Sequence, residues 1–191
     1  MNLSVKQLAS AALAVGMLMS LQGQVFARSA RVSSASWKQV LADRLPLYGH
    51  RNWICIMDSA YPAQVSPGVE TVVSGANQLE VVKAVLKAIH HSIHVRPIIY
   101  LDKELKFVPE KDAPGVTAYR RDLGRLLAGN VISTKLHEQL ISNLNDEGKT
   151  FKVLIIKTNL TIPYTSVFIR LNCKYWPDSA EQRLRAAMAG H

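Results

Sequence analysis

Residues 48–62 constrain the fold of this chain more than any other stretch of its sequence. The apolar run Trp53 to Met57 is preceded by Gly49 and His50 and is followed directly by Asp58. A run of this length, rich in Ile and aromatic residues and bounded by turn residues, is typical of a buried strand in an α/β sheet. Such sheets bind their ligands in the loops at strand ends. The stretch therefore predicts a core strand with a reactive group at each end.

Strand-like and helix-like segments alternate along the rest of the chain. The clearest helix starts at Asn77, which has Glu80 three residues later in a capping-box pattern, and it keeps an apolar residue at helical spacing from Leu79 to Ile93. The alternation predicts an α/β fold, a mostly parallel sheet with helices on both faces. The predicted strands are 53–58, 69–74, 95–101, 131–133, 151–157 and 164–171, and the other helices are 37–45, 118–127, 136–144 and 178 to the end.

The first 27 residues have the pattern of a signal peptide. Lys6 supplies the positive charge, Leu8 to Leu21 form an apolar segment, and Val25-Phe26-Ala27 provides small residues for cleavage. We therefore expect an exported protein, periplasmic or secreted, with a single domain over residues 28–191 and no membrane span after cleavage. An uncleaved N-terminal anchor is the alternative interpretation.

Charge and cysteine content narrow the possible partners. The chain carries 23 Lys and Arg against 14 Asp and Glu, but these charges are scattered and no basic run exceeds Arg120-Arg121. The scatter argues against nucleic-acid binding. Cys55 and Cys173 are the only cysteines. Two buried thiols are favoured over a disulfide between them, although export would permit one.

Common catalytic motifs are absent from the sequence. It contains no Walker A loop, no GxGxxG and no G-x-S-x-G, and His137-Glu138 does not extend to a zinc-protease motif because residue 141 is Ile. His90 and His94 have helical spacing but lack a third metal ligand, so we predict no metal site there. The polar groups at strand ends are His50, Asp58, His137 and Tyr164, a set suited to proton transfer on a polyhydroxylated ligand.

Three motifs together resemble one protein family. They are Gly49-His50 with Asp58 eight residues after the histidine, His137-Glu138 at the start of a late helix, and Tyr164-Thr165-Ser166 leading into an apolar strand. In this order they resemble the RbsD/FucU family of D-ribose pyranases and L-fucose mutarotases, over roughly residues 41–173. The resemblance implies an RbsD-like fold and a sugar isomerase that needs no cofactor.

The same resemblance implies roles for individual residues. His50 matches the family's proton donor, and Asp58, His137 and Tyr164 match residues that hold the sugar. Ser166 stands where the family has Asn, and we expect it to contact the substrate as well. The implied reaction interconverts anomers, or the pyranose and furanose forms, of a monosaccharide.

The spacing of His50 and Asp58 adds a prediction about assembly. An extended strand over Trp53–Met57 separates its two ends by about 16 Å. Either the loop before the strand folds back, or the site is shared between subunits of a homo-oligomer, which the family's ring-shaped assemblies favour. Two other functions stay open: a non-catalytic exported monosaccharide-binding protein, and a structural protein that keeps only the fold.

Overall fold

The computed structural model describes residues 36–190, and the predicted signal peptide lies outside them. Helices and strands alternate as the sequence predicts. The helices are α1 (Trp37–Arg44), α2 (Gln78–His91), α3 (Val116–Leu126), α4 (His137–Glu147) and α5 (Asp178–Ala189). The strands are β1 (Trp53–Met57), β2 (Val69–Val73), β3 (Val95–Asp102), β4 (Ile132–Lys135), β5 (Val153–Lys157) and β6 (Val167–Cys173).

The described strands form one sheet in the order β2-β5-β1-β6-β3-β4. Neighbours pair in parallel except where β6 lies between β1 and β3, to both of which it is antiparallel. The two most apolar strands, β1 and β5, are adjacent near the centre, where both faces of a sheet exclude water. The predicted α/β fold with a mostly parallel sheet is thereby confirmed.

Helices cover both faces of the sheet, as predicted, but unequally. The side chains of β1 alternate between the faces: Ile54 and Ile56 join the cluster packed by α1, α2 and α3. Trp53, Cys55 and Met57 join a smaller cluster packed by α4. All five side chains of the strand are buried, which explains why its sequence is continuously apolar rather than alternating.

The second helix shows how local signals set its ends. The Asn77 side chain accepts a hydrogen bond from the backbone N–H of Leu79 at 2.9 Å, as a helix N-cap does. The helix ends at His91, so Ile93, which we predicted as the last apolar position of the helix, lies beyond it and is exposed. The Ser92 hydroxyl bonds the carbonyl of Ile89 and redirects the chain into β3.

Both cysteines are free thiols. Cys55 is fully buried, and its burial raises the pKa of the thiol. Cys173 is only half-buried, at the far end of β6. Cys55 pairs with Phe168, so the two sulfurs are separated by five residues along the strand, about 16 Å, which is too far for a disulfide.

The last helix, α5, has no buried residue and is attached to the sheet by an ion pair between Asp178 and Arg96 at 2.9 Å. Among residues 36–190, no helix combines the length and the apolar character that crossing a membrane requires.

Candidate functional site

One edge of the sheet gathers polar side chains from four strands. Asp58 directly follows β1, Asp102 is the last residue of β3, and His137 follows β4 after one residue. Tyr164 lies just before β6, which runs in the opposite direction and therefore starts where the other strands end. The topology thus places these four residues at the same edge.

A cleft of about 390 Å³ opens between the loop after β1 and the loop before β6. This volume is within the range of small-molecule sites. Its lining comprises Asp58, Ser59, Ala60, Tyr61, Pro62, His137, Thr161, Ile162, Pro163 and Tyr164.

His137 and Asp102 form a hydrogen-bonded pair at the base of this edge. The Nδ1 atom of His137 lies 3.0 Å from Oδ1 of Asp102, whose side chain is fully buried. Burial raises the pKa of the Asp102 carboxyl, and the hydrogen bond to Asp102 raises the pKa of His137 above its usual 6.5. Because Nδ1 is occupied, Nε2 is the nitrogen left to meet a ligand. The pair resembles a histidine oriented by a carboxylate for proton transfer.

The backbone holds His137 in place from a second direction. The residue starts α4, and the preceding Leu136 has no side-chain oxygen to cap the helix. Glu104 instead accepts from the backbone N–H of His137 with both carboxylate oxygens, at 3.0 and 3.1 Å. A carboxylate at a helix N-terminus is favoured by the helix dipole, so Glu104 serves as the missing cap.

Two tyrosines flank the imidazole ring. Tyr164 meets it edge-on, with ring centroids 5.5 Å apart, and Tyr61 does the same at 6.2 Å. Tyr61 is buried and burial raises its pKa, so its hydroxyl stays protonated. Tyr164 is 39% exposed and forms the outer wall. The rings fix the plane of His137 and give the cleft aromatic surfaces.

Tyr164 adopts a left-handed backbone conformation, with φ of 58°. This conformation is strained for a residue with a bulky side chain and persists only where the surroundings impose it. The carbonyl of the next residue, Thr165, accepts hydrogen bonds from the Gln78 amide and, at 2.9 Å, from the Tyr119 hydroxyl. Both donors are buried, and Gln78 is also bonded by Thr158 at 2.9 Å. This polar network anchors the strained turn from behind.

Several polar atoms at this edge are buried without a partner among residues 36–190. They are the Tyr61 hydroxyl, Oδ2 of Asp102 and Oγ of Ser166. Buried polar groups are normally hydrogen-bonded, so unpaired ones indicate a place for water or ligand atoms. Asp58 is better satisfied, because its Oδ1 accepts from the backbone N–H of Ala60 at 2.9 Å and closes a turn.

The structure brings together three of the five residues singled out from the sequence. Asp58, His137 and Tyr164 line the same cleft. Ser166 is fully buried and is not among the lining residues. His50 is exposed in the turn before β1, at the opposite edge of the sheet, so the loop that carries it does not fold back to the cleft.

Sequence reasoning missed Asp102 and Tyr61. Asp102 follows the predicted strand 95–101, so the rule that selected Asp58, a carboxylate at a strand end, applied to it equally. Tyr61 carried no such signal, because its burial depends on the fold of the loop between Asp58 and Pro62.

No protein-family model matches the sequence, and no curated protein matches it. Among solved structures, RbsD of Bacillus subtilis complexed with D-ribose is similar, with 15% identity, coverage of 74% of this chain and 98% of that chain, and a TM-score of 0.52. The fucose mutarotase of Streptococcus pneumoniae in complex with L-fucose shares 16% identity over the same fractions, with a TM-score of 0.47. At this identity the likeness to RbsD shows the fold alone. The chain has an RbsD/FucU-like fold, as the motifs predict.

Proposed function

We propose that this chain binds a monosaccharide in the cleft and interconverts its anomers or ring forms by proton transfer. The observation that carries the proposal is that His137, hydrogen-bonded to Asp102 at 3.0 Å, lies beside Asp58 and Tyr164 in one cleft. The similarity in fold to a protein solved with D-ribose supports a sugar as the ligand.

The cleft has the chemistry that a sugar requires. Asp58 accepts hydrogen bonds, His137 can donate or accept through Nε2, and the Tyr164 hydroxyl can do either. The tyrosine rings offer apolar surface for the C–H face of a sugar ring. Asp102 does not line the cleft; it acts on a ligand through His137, whose ring it orients.

Ring opening needs two coordinated proton movements. One proton goes to the ring oxygen as the bond between the anomeric carbon and that oxygen breaks, and another leaves the anomeric hydroxyl; ring closure reverses both. His50 is the proposed donor to the ring oxygen, as the resemblance implies. His137, made more basic by Asp102, is the group within the cleft suited to hold the anomeric hydroxyl and take its proton. General acid–base catalysis of this kind contributes about 10²–10⁴-fold.

The proposal requires a second subunit. His50 and Asp58 lie beyond opposite ends of β1, whose five residues span about 16 Å, so one chain cannot present both to one sugar. We therefore propose a homo-oligomer in which His50 of one subunit completes the cleft of its neighbour.

The first test is saturation-transfer NMR of anomer and ring-form exchange on ribose, fucose, galactose and uronic acids. We expect the protein to accelerate exchange of at least one sugar, and His50→Ala to lose the acceleration. His90→Ala is the matched control, because His90 is also an exposed histidine but lies at the end of α2. If the His50→Ala variant exchanges the sugar as fast as wild type, His50 takes no part in the mechanism.

Mixed oligomers test the shared site directly. His50→Ala and His137→Gln are each expected to abolish exchange alone. When the two variants are unfolded and refolded together, random mixing should restore about a quarter of the sites, because intact residues from different subunits then meet in one cleft. No recovery in a mixture that light scattering shows to be co-assembled would refute the shared site.

One observation favours a second function. Within a single chain the cleft contains sugar-binding groups without His50. A chain that acts alone would bind a monosaccharide without catalysing exchange. In that case sugar-induced NMR shifts around His137 appear in wild type and in His50→Ala alike, and neither accelerates exchange.

A further inference from the structure

A second cleft lies on the sheet face that α4 covers only in part. It has a volume of about 470 Å³ and shares no lining residue with the cleft described above. Its principal walls are Arg51, Trp53, Tyr100, Lys135, Phe151 and Arg170, which we call the basic cleft.

The sheet register explains why these side chains meet. Trp53 on β1 pairs directly with Arg170 on the neighbouring antiparallel strand β6. Phe168, two residues earlier on β6, pairs with Tyr100 on β3, so all these side chains project from the same face. Lys135, at the end of β4, extends the row at the sheet edge.

The basic cleft combines cations with aromatic rings. The Arg51 guanidinium lies 5.7 Å from the centroid of the Phe151 ring, and the Lys135 ammonium lies 5.1 Å from that of Tyr100. The rings of Tyr100 and Trp53 are 5.6 Å apart. Cations held over aromatic faces are positioned without being neutralised. They remain available to an anion that enters the cleft.

The acidic residues of the cleft are engaged elsewhere or shared. Asp146 bonds Lys149 at 2.8 Å, and Glu147 pairs with Arg170 at 3.7 Å. Arg51 and Lys135 have no carboxylate within ion-pair distance in the part of the chain that the structure describes. The cleft therefore has an excess of positive charge.

Buried hydrogen-bonding atoms at the floor of the cleft lack partners. Trp53 is 3% exposed and its indole Nε1–H has no acceptor among residues 36–190; the same is true of Nε–H of Arg170. Oε2 of Glu147 likewise has no donor. Two free donors and one free acceptor, buried beside aromatic rings and cations, fit a ligand that carries both an acid group and hydroxyls.

From these contacts we infer that the basic cleft is a second binding site, for an anionic monosaccharide. The acid group lies at Lys135, the sugar ring packs on Tyr100, and a ring or hydroxyl oxygen accepts from the Trp53 indole. The acid group can be a carboxylate or a phosphate, since both satisfy the same cations. This site is independent of the sugar isomerisation proposed above.

The indole signal of Trp53 reports binding directly. In ¹⁵N-labelled full-length protein, Trp53→Phe identifies that signal among the three tryptophans of the sequence. Titration with glucuronate, glucose 6-phosphate and glucose is expected to shift it with the two anions and not with glucose, and Kd is expected at about 1 mM. A stronger response to glucuronate identifies a uronate site, and a stronger response to glucose 6-phosphate a phosphate site.

Charge variants at exposed or half-buried positions test the site without substituting the buried Trp53, whose loss could disturb folding. Lys135→Gln should weaken anion binding about fivefold, the effect of one partly exposed ion pair, whereas Arg51→Gln, which removes a cation over Phe151 at the other end of the cleft, should weaken it less. Lys83→Gln, which removes a cation from the exposed face of α2 instead, should leave Kd unchanged.

The anomer-exchange assay on neutral sugars separates the two sites. Lys135→Gln should keep the wild-type exchange rate while its anion binding is weakened. An indole signal that no anion shifts, or that glucose shifts equally, overturns the proposal, and so does equal weakening by Lys83→Gln.

Discussion

The left-handed backbone of Tyr164 predicts an unusual order of stabilities for substitutions at that position. With φ of 58°, an Ala there is expected to cost roughly 1–2 kcal/mol of strain that Gly avoids. Replacing Tyr by either residue removes the same ring, so the lost contact with His137 cancels between the two variants. The remaining difference is the strain, reduced by the greater flexibility of Gly in the unfolded chain. Tyr164→Gly should therefore exceed Tyr164→Ala in free energy of unfolding by about 1 kcal/mol.

Urea denaturation of both variants measures this difference, and Lys83 provides the matched control. Lys83 is an exposed residue in the interior of α2 with ordinary helical geometry. There the order should reverse, with Lys83→Ala more stable than Lys83→Gly by about 1 kcal/mol. If Ala is as stable as Gly at position 164, or more stable, the backbone is not held in the left-handed region and the argument fails.

The same pair of variants separates strain from recognition. Tyr164→Gly relieves the backbone strain but lacks the ring that forms the outer wall of the cleft. Sugar affinity should therefore fall in both variants, whereas Tyr164→Phe keeps the aromatic contact and tests the hydroxyl alone. Wild-type affinity in Tyr164→Gly would show that the ring does not contact the ligand.

Three further predictions concern the surroundings of His137. Asp102→Asn should lower the pKa of His137, because the carboxylate that raises it is removed; an NMR titration of the imidazole Cε1 proton that is unchanged would contradict this. Because the pKa of His137 is higher in the folded than in the unfolded chain, its stabilising contribution is complete below about pH 6.5 and is lost as the pH rises through the folded value. Urea denaturation from acid to alkaline pH should show this decline, and His137→Gln should flatten it. Glu104→Ala should lower the free energy of unfolding by about 1 kcal/mol through loss of the α4 cap, whereas the exposed neighbour substitution Lys103→Ala should change it little; equal effects would deny the cap.

The sequence predicted most of the fold because its strongest signals are local. The continuous apolar run of β1 can be buried on both faces only inside a covered sheet, and that alone indicates α/β architecture. The cap at Asn77 and the helical spacing after it predicted α2 to within two residues at its end. The position of β6 between β1 and β3, antiparallel to both, could not be predicted, because strand order depends on contacts between segments far apart in sequence.

The candidate site was predicted in its outline but not in its chemistry. Asp58, His137 and Tyr164 were predicted because each lies near the end of a predicted strand and matches a motif of the RbsD/FucU resemblance. The partner of His137 was missed, since Asp102 lies 35 residues earlier and meets it only when β3 and β4 pair side by side. Likewise, no local pattern shows that the Thr165 carbonyl is bound by side chains from α2 and α3.

Departures from ordinary folding rules recur at the edge of the sheet that carries His137, as they do at the basic cleft, where Arg51 has a φ of 73°. A tyrosine is held in a left-handed conformation, a carboxylate is buried with one oxygen unpaired, and the hydroxyl of Ser166 is buried without a partner among the described residues. Each of these costs stability, and none is needed to pack the two cores, which are formed by aliphatic and aromatic side chains. In proteins whose local sequence preferences agree with the overall fold, such rules are violated mainly where function requires it. The proximity of these three departures to His137 therefore supports a ligand site at this edge, independently of any resemblance to other proteins.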